Sequence, residues 1–132
     1  VILVAGGTGF APIKAIVEHA IAEKCARPLH IYRGARARVD LYLNALPEQW
    51  AAEHANIGYV PVLSEAATGD DWTGRSGLVH QAVLADFPDL SGHQVYACGA
   101  PAMIDAARQD FATIGKLPED EFFADAFTFS TP

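Results

Sequence analysis

Two stretches of this 132-residue chain share one grammar. Val4 to Pro12 (VAGGTGFAP) and Tyr96 to Pro101 (YACGAP) each run from an apolar segment through glycine to a proline that can open a helix. Residues 1–5 (VILVA) are an unbroken apolar run, too short for a helix and closed by glycine, so they read as a strand buried on both faces. The segment after the glycines places Ile13, Ile16, Val17, Ala20 and Ile21 at i, i+3, i+4, i+7 and i+8, the single apolar stripe of a helix over 11–26. A strand feeding a helix through a tight glycine turn is a unit of an α/β fold. Finding the unit twice leaves few architectures open.

The rest of the chain keeps the alternation. Further strands are predicted over 29–33, 57–63, 94–98 and 121–126. Helices are predicted over 40–54 with Asp40 as N-cap, over 77–87, and over 101–114 with Ile104, Ala107, Phe111 and Ile114 on one stripe. Pro61 inside the third strand favours a sheet edge, since proline donates no ladder hydrogen bond. SEAATGDDWTG reads as a loop. The expected fold is therefore α/β: a doubly wound, parallel, five-stranded sheet of order 3-2-1-4-5, with helices on both faces and strands one and four flanking the switch point.

Composition narrows the class. An apolar content of 51% argues for a packed core in one domain spanning 1–132. No apolar run reaches the roughly 20 residues that span a bilayer, and no membrane partner is expected. The chain opens directly in a core strand, which suggests a piece of a longer polypeptide. Nine Lys and Arg against sixteen Asp and Glu, with no basic run, argue against nucleic acid. The two cysteines, Cys25 and Cys98, form no disulfide framework, which suits a reducing cytoplasm, and are too few for an iron–sulfur cluster. The five histidines are scattered and make no metal spacing.

The turns carry the chemistry. Gly7, Gly9 and Pro12 spell G-x-G-x-x-P. Glycines bring backbone close to a ligand, a helix N-terminus offers N–H groups to an anion, and Thr8 adds a hydroxyl. A pyrophosphate is the natural guest; a plain tight turn is the competing reading. YACGAP ends strand four, across the switch-point crevice where ligands of open α/β sheets sit. Gly99 leaves room for a flat ring. Cys98 then either lines the ring pocket or is an ordinary buried cysteine.

GGTGFAP, YRGAR with DLY (Tyr32 to Arg36, Asp40 to Tyr42) and YACGAP, in this order and spacing, resemble the pyridine-nucleotide domain of the ferredoxin–NADP⁺ reductase superfamily. The resemblance is nearest to flavin- and iron–sulfur-containing NADH reductases that serve oxygenases or deoxysugar-forming enzymes. It covers essentially the whole chain and implies NAD(P)H as coenzyme, FAD held by an upstream domain of the same polypeptide, and in the parent protein a [2Fe–2S] carrier. Hydride would pass from NADH to FAD, then electrons singly to an unidentified redox acceptor protein. Gly7, Thr8 and Gly9 match the pyrophosphate loop; Gly34 and Arg36 fall in the second motif; Cys98, Gly99 and Ala100 match the nicotinamide pocket. The cysteine acts there by placing the reacting ring, not as a nucleophile. In the tail EFFADAF, Asp125 and Phe127 stand where the family carries a glutamate and an aromatic beside the flavin; a simple hydrophobic strand is the alternative, and the preferred one for Phe122 and Phe123.

Coenzyme preference follows from charge. The 2′-phosphate of NADPH wants Arg or Lys, and NADP⁺-using relatives carry arginine after the serine that ends strand three. This chain has Ser64-Glu65 there. Glu65 repels phosphate and accepts hydrogen bonds from a ribose diol, so NADH is favoured over NADPH, unless Glu65 is only a solvated charge. Arg36, Arg38 and Arg75 are the cations that would reverse the preference; otherwise they are surface residues. Trp72 packs on the sheet end or lies near the adenosine. Two rival functions remain: a self-contained dehydrogenase, for which no acid–base residue is evident, and a nucleotide-sensing domain without turnover.

Overall fold

The computed structural model describes residues 1–6, 10–24, 27–35, 45–64 and 75–126. Along the chain these form β1 (Ile2–Gly6), α1 (Phe10–Ala22), β2 (Leu29–Ala35), α2 (Ala45–Glu53), β3 (Ile57–Leu63), β4 (Arg75–Ser76), α3 (Val79–Asp86), β5 (Val95–Gly99), α4 (Pro101–Thr113) and β6 (Phe122–Ala126), the last preceded by a 3₁₀ turn at Glu119–Glu121. The strands are all parallel, in the order β4-β3-β2-β1-β5-β6.

The alternation predicts five strands, and the sheet has six among the described residues. The five keep their expected relative order; β4 is the addition. It has two polar residues and no apolar pattern to announce it. It forms because the chain returns beside the end of β3, pairing Val62 with Arg75 and Leu63 with Ser76. β4 covers only that end, so Pro61 still lies on a stretch of β3 whose sole paired neighbour among the described residues is β2.

β1 is central, and Ile2, Leu3, Val4 and Ala5 are completely buried, as an unbroken apolar strand requires. Successive residues serve opposite faces. Ile2 and Val4 join a core with α3 and α4, through Val79, Val83, Ile104 and Phe111. Leu3 and Ala5 join a core with α1 and α2, through Phe10, Ile13, Val17 and Trp50. Burying each such large apolar side chain contributes about 1.5–3 kcal/mol. On the first of these faces, His80 Nε2 and Asp110 Oδ2 meet at 2.9 Å and tie α3 to α4.

Boundaries shift where local backbone wins. α1 stops at Ala22, and Lys24 takes φ 54. Residues 25–26 of the predicted helix, and the predicted start of α2 over 40–44, lie outside the described residues. Ile114, assigned to the buried stripe of α4, is 60% exposed, because it is the C-cap and the helix no longer presses it on the sheet. Glu121 belongs to the 3₁₀ turn rather than to β6. No helix among the described residues is long and apolar enough to cross a membrane.

Candidate functional site

The carboxyl ends of β1 and β5 lie side by side, Ala5 opposite Cys98. Beyond them come Gly6 and Gly99, and there the backbones nearly touch. A Cβ added to Gly99 would stand 2.9 Å from the Gly6 carbonyl oxygen and 2.7 Å from Met103 Cε. Gly99 also has φ +155, a conformation that side chains resist. Glycine is thus required at this point. Met103, in the first turn of α4, lies over both glycines. On the next strand Gly34 pairs with Gly6, and its missing Cβ leaves room for Val79 at the start of α3, whose own Cβ would be 2.8 Å away. This row of glycines lets α3 and α4 close tightly on the rim.

The row beneath faces the other way. Pro61, Arg33, Ala5 and Cys98 are paired in register across four strands. Ala5 and Cys98 pack in the α1–α2 core, and Cys98 is only 5% exposed. Arg33, 1% exposed, sets its guanidinium 4.2 Å from the centre of the Phe10 ring, a cation–π contact, and Phe10 in turn stacks on Trp50. Burial pushes the Tyr59 phenol up, while Arg33 beside it pulls it down.

Both long helices that begin at this rim, α1 and α4, direct their first N–H groups toward it, and such groups have no acceptor within the helix. Pro101 fills the first position of α4, where its missing N–H costs nothing, and the exposed Ala100 is the N-cap. The helix starts at this rim can therefore take an anion.

A second polar cluster lies toward β4. Arg75 Nη1 donates to both carboxylate oxygens of Asp86 at 3.0 Å, and Tyr32 Oη donates to Asp86 Oδ2 at 2.6 Å. Burial raises the Tyr32 phenol above its ordinary value, and the bond to Asp86 raises it further. Burial also pushes the Asp86 carboxyl up, but the bonds from Tyr32 and Arg75 outweigh this and hold it below the usual carboxylate range. Arg75 is thus ion-paired at the surface, its side chain 40% exposed.

Of the residues singled out from sequence, Cys98, Gly99 and Ala100 stand together at the rim with Gly34 two strands away. Ser64 is exposed just past β3, its N–H bonded to the Ala35 carbonyl at 2.9 Å. Asp125 is the β6 partner of Cys98. Gly7, Thr8, Gly9, Arg36, Arg38, Glu65, Trp72 and Phe127 lie outside the described residues. Sequence reasoning missed Met103, Arg33 and Asp86. Met103 had a signal, the third helical position after a rim glycine. Arg33 had one too, the period-2 series Leu29, Ile31, Arg33. Asp86 had none, because its partners are distant in sequence. Among the described residues no group of three or more His, Cys, Asp or Glu is placed to hold a metal ion.

Known proteins share this arrangement. The chain is 53% identical over 129 residues to the CDP-6-deoxy-L-threo-D-glycero-4-hexulose-3-dehydrase reductase of Yersinia pestis, covering 96% of this chain and 37% of that protein. It is 49% identical over 132 residues to protein RfbI of Salmonella typhimurium, covering 98% of this chain and 38% of the relative. It therefore spans little more than a third of these relatives. The crystal structure of the Amycolatopsis cytochrome P450 reductase GcoB superposes with a TM-score of 0.87 at 32% identity, over 96% of this chain and 37% of that one. Residues 3–109 match the family model of the oxidoreductase NAD-binding domain, and the chain belongs to that family.

Proposed function

We propose that this chain binds NADH across the carboxyl ends of β1 and β5 and presents it to FAD held by an upstream domain of the same polypeptide. The carrying observation is the meeting of Gly6 with Gly99, beside Cys98, from opposite ends of the chain. Glycine at both positions keeps the rim free of side chains, with Met103 packed behind it, and that bare backbone suits a dinucleotide. When bound, the nicotinamide supplies a hydride that FAD accepts and passes on as single electrons.

The chain's own contribution is placement. Residues 7–9 and the start of α1 hold the pyrophosphate. Gly99 and Ala100 let the nicotinamide lie against backbone, and Cys98 sets its depth, so that the reacting atoms are held about 3–3.5 Å apart. Asp125, carried next to Cys98 by strand pairing, and Phe127 serve the flavin side. Ser64 and Glu65 take the adenosine ribose and favour NADH over NADPH, with Gly34 and Arg36 framing the space between. The 53% identity to the hexulose-dehydrase reductase, against 32% to the cytochrome P450 reductase, favours a deoxysugar-forming dehydrase as electron acceptor, served through a [2Fe–2S] carrier elsewhere in the polypeptide. We assign the protein to the cytoplasm on its sparse cysteine content.

The full-length protein should be yellow and should oxidise NADH with an artificial acceptor; a colourless protein that leaves NADH intact overturns the reading. Cys98→Ala should leave NADH binding near its parent value and slow hydride transfer about tenfold to a hundredfold, by misplacing the ring. An unchanged single-turnover rate returns Cys98 to core packing.

A further inference from the structure

We propose that Asp86 is a specificity residue: by holding the Arg75 guanidinium back from the carboxyl rim of β3, it withholds this cation from the 2′-phosphate of NADPH. The inference rests on the dinucleotide reading above and adds a device to it.

The register fixes which way Arg75 is turned. Its backbone pairs with Val62, the penultimate residue of β3, and Val62 also pairs with Gly34, so Arg75 starts at rim level. Val79 packs over Gly34 at the same level. From there α3 runs eight residues back to its last residue, Asp86. At about 1.5 Å per residue, Asp86 lies roughly 10 Å along the helix from Val79. Tyr32, whose hydroxyl meets Asp86, pairs with Val60, two residues before Val62 on the amino side of the rim. A guanidinium bonded to both oxygens of Asp86 is therefore drawn away from the rim. Its Nη2 also reaches the Ala82 carbonyl at 3.5 Å, in the same direction.

A carboxylate and a phosphate compete for the same guanidinium donors. Here the carboxylate is held in place by a second donor, Tyr32, so Arg75 has a fixed partner. Asp86→Asn removes the negative charge, keeps the shape and leaves an acceptor for Tyr32. Arg75 can then swing toward the rim.

The test measures equilibrium binding of NADPH and NADH to the protein and to Asp86→Asn. The variant should tighten NADPH about tenfold relative to NADH, the worth of one charge-assisted contact. Adding Arg75→Gln to the variant should abolish the gain. An NADPH-to-NADH ratio within twofold of the parent, or a gain that survives Arg75→Gln, overturns the proposal. If Asp86→Asn does not fold, Arg75→Gln alone decides: an unchanged ratio supports the withheld cation, and weakened NADPH binding shows that Arg75 already reaches the phosphate and overturns it. A parent that binds neither dinucleotide removes the function proposed above and this inference with it; a parent that binds NADH with an unmoved ratio removes only the latter.

Discussion

At the carboxyl rim the two faces of one sheet solve opposite problems with adjacent rows of residues. Toward α3 and α4 the row is Gly34, Gly6 and Gly99, with side chains deleted so that Val79 and Met103 can press inward. Toward α1 and α2 the row is Arg33, Ala5 and Cys98, with a cation and a thiol kept under the first helix. The rows are one residue apart. Because strand side chains alternate, a single step along the chain exchanges a packing role for a chemical one. The site is built where these two habits meet.

The sharpest way to break the contrast is to put a side chain into the glycine row. Gly99→Val adds strain at φ +155 to a clash with the Gly6 carbonyl, a backbone atom that cannot swing aside. The expected cost is about 3 kcal/mol or more, read from denaturant midpoints, and Met103→Ala should not restore it. Gly34→Ala meets only the Val79 side chain. It should cost about 1–3 kcal/mol, and Val79→Ala in the same protein should recover part of the loss. If Gly99→Val proves the milder of the two, the close backbone approach does not govern the rim.

The opposite row should answer with chemistry rather than stability. Arg33→Met keeps volume and removes a buried charge, so the unfolding free energy should change by no more than about 1 kcal/mol. The Tyr59 phenol should titrate higher still, because the cation that opposes its burial is gone. Alkaline absorbance titration reads this directly, and an unmoved Tyr59 would detach Arg33 from it.

The smallest effect is expected at the far end of the α3–α4 face. Burial, with His93 nearby, lowers the His30 pKa below its ordinary 6.5. The unfolded chain then binds this proton more readily than the folded one. Stability from neutral His30 is complete above about 6.5 and is lost as pH falls through that value toward the folded one. Thermal midpoints should decline modestly over this window, and His30→Gln should flatten the slope.

Much of this was legible in the sequence, for reasons that can be named. VILVA had to be a central strand, and the Ile13–Val17 stripe had to face a sheet, because period and length leave no other burial. YACGAP declared its rim position through glycine and proline. β4 was invisible, since Arg75 and Ser76 pair with β3 only after the chain has folded back. Asp86 was equally silent: its partners Tyr32 and Arg75 are set by how α3 crosses the sheet, which no local pattern encodes. The rim position of Cys98, Gly99 and Ala100 was readable. Which face each served depended on register, a property of strand pairs.

The pairing of β1 with β5 also sets an order of assembly. Ile2 is made well before Val95, the partner that covers its second flank. A nascent chain that has formed β1, β2 and β3 still carries a bare, wholly apolar central strand along one side. The contact between Gly6 and Gly99 forms only when that flank is covered. The proposed coenzyme site would thus report on completion: a chain stalled or cut before β5 lacks half of it, and it exposes its stickiest edge to chaperones, proteases and its own copies.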